Sequence, residues 1–256
     1  MAGVKIAKKV HDRLVAGIKK YNPIVSTLRQ RDISEADTVT VIKDMLTEVF
    51  GYDKYVELTS EQQIRGTFCD LAIRVEGKIY YLAEVKSAGT NLNDNHLRQA
   101  INYGAHQGIE WIILSNAIEW RIYRIKFGQP IDYEEVFKFD VTKLSSRSSD
   151  DLEKLSMLCR ESISSDSLAE YHRQAQILNR YVVAELLQSD ALVATLRREL
   201  RRLFDGIRVS DDELKAILTN DVLKRDTIDG EPPKSAKALV KKATAALLRK
   251  AAKAAP

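Results

Sequence analysis

Apolar residues recur every three or four positions at the start of the chain, at Val4, Ile6, Val10, Leu14 and Ile18, with lysines between them. That spacing predicts an amphipathic helix ending near Tyr21-Asn22-Pro23, where proline discourages continuation, and a shorter helical piece, IVSTLRQRD, follows. Ser34 offers a cap to a second helix, with Asp37 three residues later. Its stripe is Val39, Ile42, Leu46, Val49 and Phe50, and Gly51 marks its end. The period then shifts towards two. Tyr55 to Leu58 reads as a first strand and SEQQIRGT as a polar loop, and CDLAIRV and KIYYLAEVKS form a hairpin around Gly77. After the loop SAGTNLNDN comes a helix, His96 to His106. The unbroken run Trp111 to Leu114 fits a strand buried on both faces in a parallel pairing. Glu119 to Ile125 alternates as a strand nearer the edge, and YEEVFKFDV is a last strand or extended arm. Helices flanking a mixed sheet predict an α/β/α sandwich.

Beyond KLSSRSSDD, at 143–151, the pattern is helical throughout, so the stretch reads as a linker or a loop opening a helix. Leu168, Tyr171, Ala175, Leu178 and Val182 keep a three-four alternation that fails at Glu185. ALVATLRRELRRLF and SDDELKAILTNDVLKRD each carry an apolar stripe, the second opened by a capping box from Ser210 to Glu213. The expected division is an N-terminal helical segment (1–30), an α/β domain (31–142), a helical domain for interaction or DNA binding (150–230) and a basic tail (231–256) that is helical or disordered.

With 256 residues, 45% hydrophobic and 30% charged, the chain has the composition of an ordinary soluble protein. No apolar run approaches a membrane span, and the charged start does not read as a secretory signal, so a cytoplasmic protein without a membrane partner is expected. Two cysteines are too few for a disulfide framework, and neither belongs to a CxxC pair, which argues against structural zinc; Cys69 reads as a small core residue. The net charge of +4 is unevenly placed, with seven lysines and arginines and no acid after Glu231. A basic end of this kind suits a partner made of phosphates as well as mere solubility.

The chemistry is concentrated in the hairpin. Asp70, Glu84 and Lys86 lie at its ends among residues built for burial, where two carboxylates and a lysine are costly unless paired or bound to a metal. Glu84 and Lys86, two apart, leave one face of the sheet. A two-residue loop at Glu76-Gly77 would set Asp70 opposite Ala83, on the other face. A three-residue loop from Val75 would set it opposite Leu82, on the face of Glu84, so a shared metal site predicts the odd-length loop.

The D…ExK pattern on consecutive strands resembles the PD-(D/E)xK nuclease superfamily, which has a restriction-endonuclease-like fold. Glu35 in SEADT ahead of the second helix, Gln99 and Tyr103 in LRQAINYGAHQG, and the following WIILSNAIEWRIYRI make the order similar to the N-terminal nuclease domain of type I restriction enzyme motor subunits, including their QxxxY element. The resemblance covers roughly residues 30–140, and Ala117 departs from it where such domains commonly carry glycine. It implies a metal-dependent endodeoxyribonuclease, in restriction or defence against foreign DNA, with DNA and defence subunits as partners. Asp70, Glu84 and the Val85 carbonyl would hold Mg²⁺ or Mn²⁺, Lys86 would act on water or the phosphoryl group, Glu35 would face the ions, and Gln99 and Tyr103 would place substrate. The chain has no GxxxxGK[ST] loop and so lacks the motor fused to such domains. The alternative is a non-catalytic nuclease-like module for DNA binding or assembly, with the C-terminal helices as a homodimer surface.

Overall fold

The computed structural model describes residues 6–64 and 67–254, leaving aside the side chains of 61–64, 67–68, 251 and 253–254. The chain is α/β and divides between Glu170 and Tyr171 into two compact units. No helix among the described residues is long and apolar enough to cross a membrane.

The first unit is a six-stranded mixed sheet in sequence order: β1 (Leu58–Ile64), β2 (Thr67–Val75), β3 (Lys78–Val85), β4 (Trp111–Ser115), β5 (Glu119–Lys126) and β6 (Asp132–Asp140). Only β3 and β4 pair in parallel, as the continuous apolar run of β4 predicts, and every residue of β4 is buried. The crossover between them is α3 (Arg98–Gln107), which packs Ala100, Ile101 and Tyr103 against Ala72, Leu82, Ile112 and Tyr123. α1 (Lys8–Leu28) and α2 (Glu35–Glu48) belong to the opposite side. Phe50, just past α2, meets Trp120 with ring centroids 5.6 Å apart, and the β4–β5 register puts Trp120 on the face away from Ile112 and Tyr123. Helices therefore cover both faces of the sheet.

Three boundaries differ from the pattern-based expectation. α1 does not stop before Pro23 but runs through it to Leu28, because Tyr21, Val25 and Leu28 continue the buried stripe and the Asn22 amide donates to the carbonyls of Val141 and Thr142 at 3.2 and 3.0 Å. Tyr55 and Val56 form an exposed turn rather than a strand, because the Asp53 carboxylate accepts both of their amides at 2.9 Å. Most of SEQQIRGT is β1 itself, the edge strand, where polar composition is common. The first unit also extends past 143–151. α4 (Ser149–Ser156) and the residues after it bury Leu152, Leu155, Met157, Leu158 and Cys159, and the Tyr52 hydroxyl donates to the Leu158 carbonyl at 3.0 Å.

The second unit is helical: the rest of α5 (Ser167–Ile177), α6 (Arg180–Leu187), α7 (Asp190–Leu203), α8 (Asp211–Ile217) and α9 (Glu231–Ala254). The three-four seam through Val182 is broken at Asn179, whose side-chain oxygen accepts the amides of Tyr181 and Val182 and so starts a new helix. The Ser210–Glu213 capping box opens α8 as expected. α7 and α8 share a small core of Val193, Leu214 and Leu218. α6 packs along α9, while the basic tail is helical and exposed from Lys241 to Lys250.

Candidate active site

The hairpin turn has two residues, Glu76 and Gly77, both in the left-handed region (φ 51° and 81°) that such tight turns require. The expected three-residue loop is therefore not what aligns the acids. Val75 faces Lys78 and Arg74 faces Ile79, but the register then shifts and Ile73 faces Tyr81. Tyr80 is the additional residue of a β-bulge. One extra residue reverses the parity of everything beyond it. Leu71 is thereby set against Ala83, and one step further Asp70 stands across from Glu84.

Past that last pair the Asp70 carboxylate turns to β3 and accepts the amide of Val85 at 2.6 Å. Glu84 is buried, with its side chain 8% exposed. The Lys86 ammonium donates to Glu84 Oε1 at 2.7 Å and to the Val85 carbonyl at 2.9 Å. Its backbone amide is anchored by the Ser115 carbonyl at 2.9 Å, from the end of parallel β4. α2 brings in Glu35, whose Oε2 lies 3.6 Å from the Lys86 ammonium. Ser34 begins that helix at this place, accepting the Asp37 amide and donating its hydroxyl to the Asp37 carboxylate at 2.8 Å. Four charged groups from three elements thus meet at one end of the sheet.

Their electrostatics follow from the burial. Loss of water pushes the Glu84 carboxyl up to about 7, the Lys86 hydrogen bond pulls it back, and the negative charges of Asp70 and Glu35 push it further up. Burial acts against the Lys86 ammonium, but the hydrogen bond and charge of Glu84, with Asp70 and Glu35, outweigh it and hold Lys86 above its ordinary value. Lys86 is accordingly a cation at neutral pH. The neighbouring Cys69 thiol is pushed up to about 12, mainly by burial and then by the charge of Glu84, which fits a core residue and not a nucleophile.

The donor set fits a hard divalent ion. Asp70, Glu84 and the Val85 carbonyl offer oxygen only, and the cluster carries negative charge that burial leaves poorly compensated. Among the described residues no three His, Cys, Asp or Glu side chains group closely enough to hold an ion by side chains alone.

The chain matches no protein-family model, no curated protein and no solved structure.

The other expected site residues separate. Gln99 is exposed near the start of α3. Tyr103 does not share an exposed face with it: it is 3% exposed, packed into the core beneath α3, and its buried hydroxyl has no hydrogen-bond partner among the described residues. Four residues make slightly more than a full turn, and the excess of about 40° rotates Tyr103 to the sheet side. Ala117 adopts φ 68° in the turn after β4, the conformation that glycine favours. That turn is held by Asn116, whose side-chain oxygen accepts the Glu119 amide at 2.7 Å and whose amide donates to the Thr90 carbonyl at 2.9 Å. Ser115 and Asn116 thus position Lys86 and the loop after it. No chemical signal in the sequence marked them.

Proposed function

We propose that this chain is a metal-dependent endodeoxyribonuclease of the PD-(D/E)xK type, with a restriction-endonuclease-like α/β/α sandwich, acting on foreign DNA in the cytoplasm. The observation that supports this reading is the convergence of Glu35, Asp70, Glu84 and Lys86 at one end of the sheet, with Lys86 within 4 Å of both glutamates. Asp70, Glu84 and the Val85 carbonyl are the residues to hold Mg²⁺ or Mn²⁺, which when bound supplies Lewis-acid stabilisation of phosphoryl oxygens and lowers the pKa of water. Lys86, kept protonated by its acidic neighbours, presents a cation to the charge that grows on the phosphoryl group and orients the attacking water. Glu35, half exposed beside that ammonium, is placed to accept a hydrogen bond from the water. Gln99 contributes to substrate placement from its exposed position, and Tyr103 contributes by packing α3 on the sheet.

One observation favours a second reading, a non-catalytic DNA-binding or assembly module: Lys86 itself engages the Glu84 and Val85 oxygens that an ion would use. Incubation with plasmid and linear DNA in Mg²⁺, Mn²⁺ or chelator separates the two. The nuclease reading expects cutting only with metal and its loss, by about a hundredfold or more, in Asp70→Ala and Lys86→Ala. Metal-independent binding with no cutting by the unaltered protein would establish the module instead.

A further inference from the structure

Beside the acidic cluster lies an open cleft of about 380 Å³ between α2 and the sheet edge. Glu35, Val39 and Lys43 of α2 line it together with Ser60 and Asp70 of the sheet. Lys43 reaches across from α2 to β1, donating to the Ser60 hydroxyl at 3.1 Å. One of its three ammonium protons is used there, and among the described side chains no carboxylate lies within ion-pair distance. Its position is tied to the candidate site through the backbone, because Ser60 pairs with Leu71, the residue after Asp70, one strand spacing of about 5 Å away.

We infer that Lys43 is a phosphate-positioning residue, which binds a backbone phosphate of the polynucleotide next to the phosphate that lies at Asp70, Glu84 and Lys86. Glu35, Val39 and Lys43 follow one another at four-residue steps along α2, so the helix wall of the cleft passes from a carboxylate through an apolar side chain to an ammonium. A phosphodiester strand matches that order: a reacting phosphate met by Lys86 and the acids, a sugar against the apolar wall, and the adjoining phosphate on the ammonium. Ser60 holds the long lysine side chain across the cleft, which reduces the rotamer entropy lost when the phosphate arrives. The inference rests on the nuclease reading for the identity of the ligand, a polynucleotide, and not for cutting.

The test measures binding of a fluorescent DNA oligonucleotide by anisotropy, in chelator and over a salt series, for the unaltered protein, Lys43→Gln and Lys43→Arg. Removing one phosphate contact should weaken binding about tenfold in Lys43→Gln and lower the slope of log affinity against log salt by about 0.7 to 0.9, with Lys43→Arg close to the unaltered protein. Where the protein cuts, KM should rise in Lys43→Gln with kcat little changed. An unchanged salt slope in Lys43→Gln overturns the inference, as does an absence of DNA binding by the unaltered protein. Binding with the expected slope change but no cutting in any metal supports the role of Lys43 and defeats the nuclease reading alone. Cutting with an unchanged slope does the reverse.

Discussion

Replacing Glu84 with glutamine should stabilise the protein at neutral pH in the presence of chelator. The Glu84 carboxyl is pushed from its ordinary 4.5 to about 7, first by burial and then, against the pull of Lys86, by the charges of Asp70 and Glu35. The folded chain therefore holds a proton that the unfolded chain has already released, and stability falls as pH rises through the window from about 4.5 to 7. At about 1.4 kcal/mol per pH unit the cost is about 3 kcal/mol above pH 7 and vanishes below about pH 4.5. Glutamine accepts the Lys86 hydrogen bond through its amide oxygen and carries no charge, so the variant escapes this cost. Urea unfolding of both proteins at pH 5, 6, 7 and 8 in chelator measures the difference. Both tryptophans, Trp111 and Trp120, lie in the sheet, so their fluorescence reports the unit that contains the site. The variant should gain on the unaltered protein from pH 5 to pH 7 and then level off, at about 3 kcal/mol by pH 8. A gap independent of pH, or a variant that is less stable at pH 8, would refute the reasoning, because the Glu84–Lys86 pair would then outweigh the burial of the carboxylate. Adding Mg²⁺ should raise the stability of the unaltered protein and narrow the gap.

Other positions give sharper single outcomes. In Gly17→Ala the new methyl would lie 2.7 Å from Val49 Cγ2 where α1 crosses the end of α2, so the sheet unit should lose about 1–3 kcal/mol in urea unfolding. Tyr103→Phe removes a buried hydroxyl that has no partner among the described residues and should leave stability unchanged or raise it by about 1 kcal/mol; a clear loss in the same assay would reveal an interaction of that hydroxyl. Ser210→Ala removes both Ser210 contributions to the α8 capping box that come from its hydroxyl and should cost the helical unit about 1 kcal/mol, read by far-ultraviolet circular dichroism during thermal unfolding.

Much of this architecture is legible in local pattern. The stripe of α2 with its Ser34 cap and the fully apolar β4 declared themselves through periodicity and end signals that act within a few residues. So did the hairpin at Gly77 and the capping box at Ser210. Asp70, Glu84 and Lys86 stood out for the same local reason, as charges among residues that would otherwise be buried. Pro23 and the polar β1 were misread because their outcome depends on distant partners. α1 continues because its last turns bury side chains against the rest of the first unit, and β1 is a strand because β2 offers a free edge. The seam through Leu178 failed for the opposite reason: the cap at Asn179 is local but is outweighed, in a pattern count, by apolar residues at matching intervals.

The chain by itself determined which residues could carry chemistry and which of the strongly periodic segments, such as α2 and β4, would be helix or strand, since both depend on residue type and near neighbours. Whether the acids would meet was decided only in three dimensions. A single extra residue at Tyr80 reverses the parity of the hairpin, and no composition or spacing rule reveals which strand will bulge. The same folding brought Glu35 to Lys86 across the gap between α2 and β3, and Lys43 to Ser60 across the gap between α2 and β1. Contacts between residues far apart in sequence are set by packing of whole elements, and their register is a property of the assembled sheet.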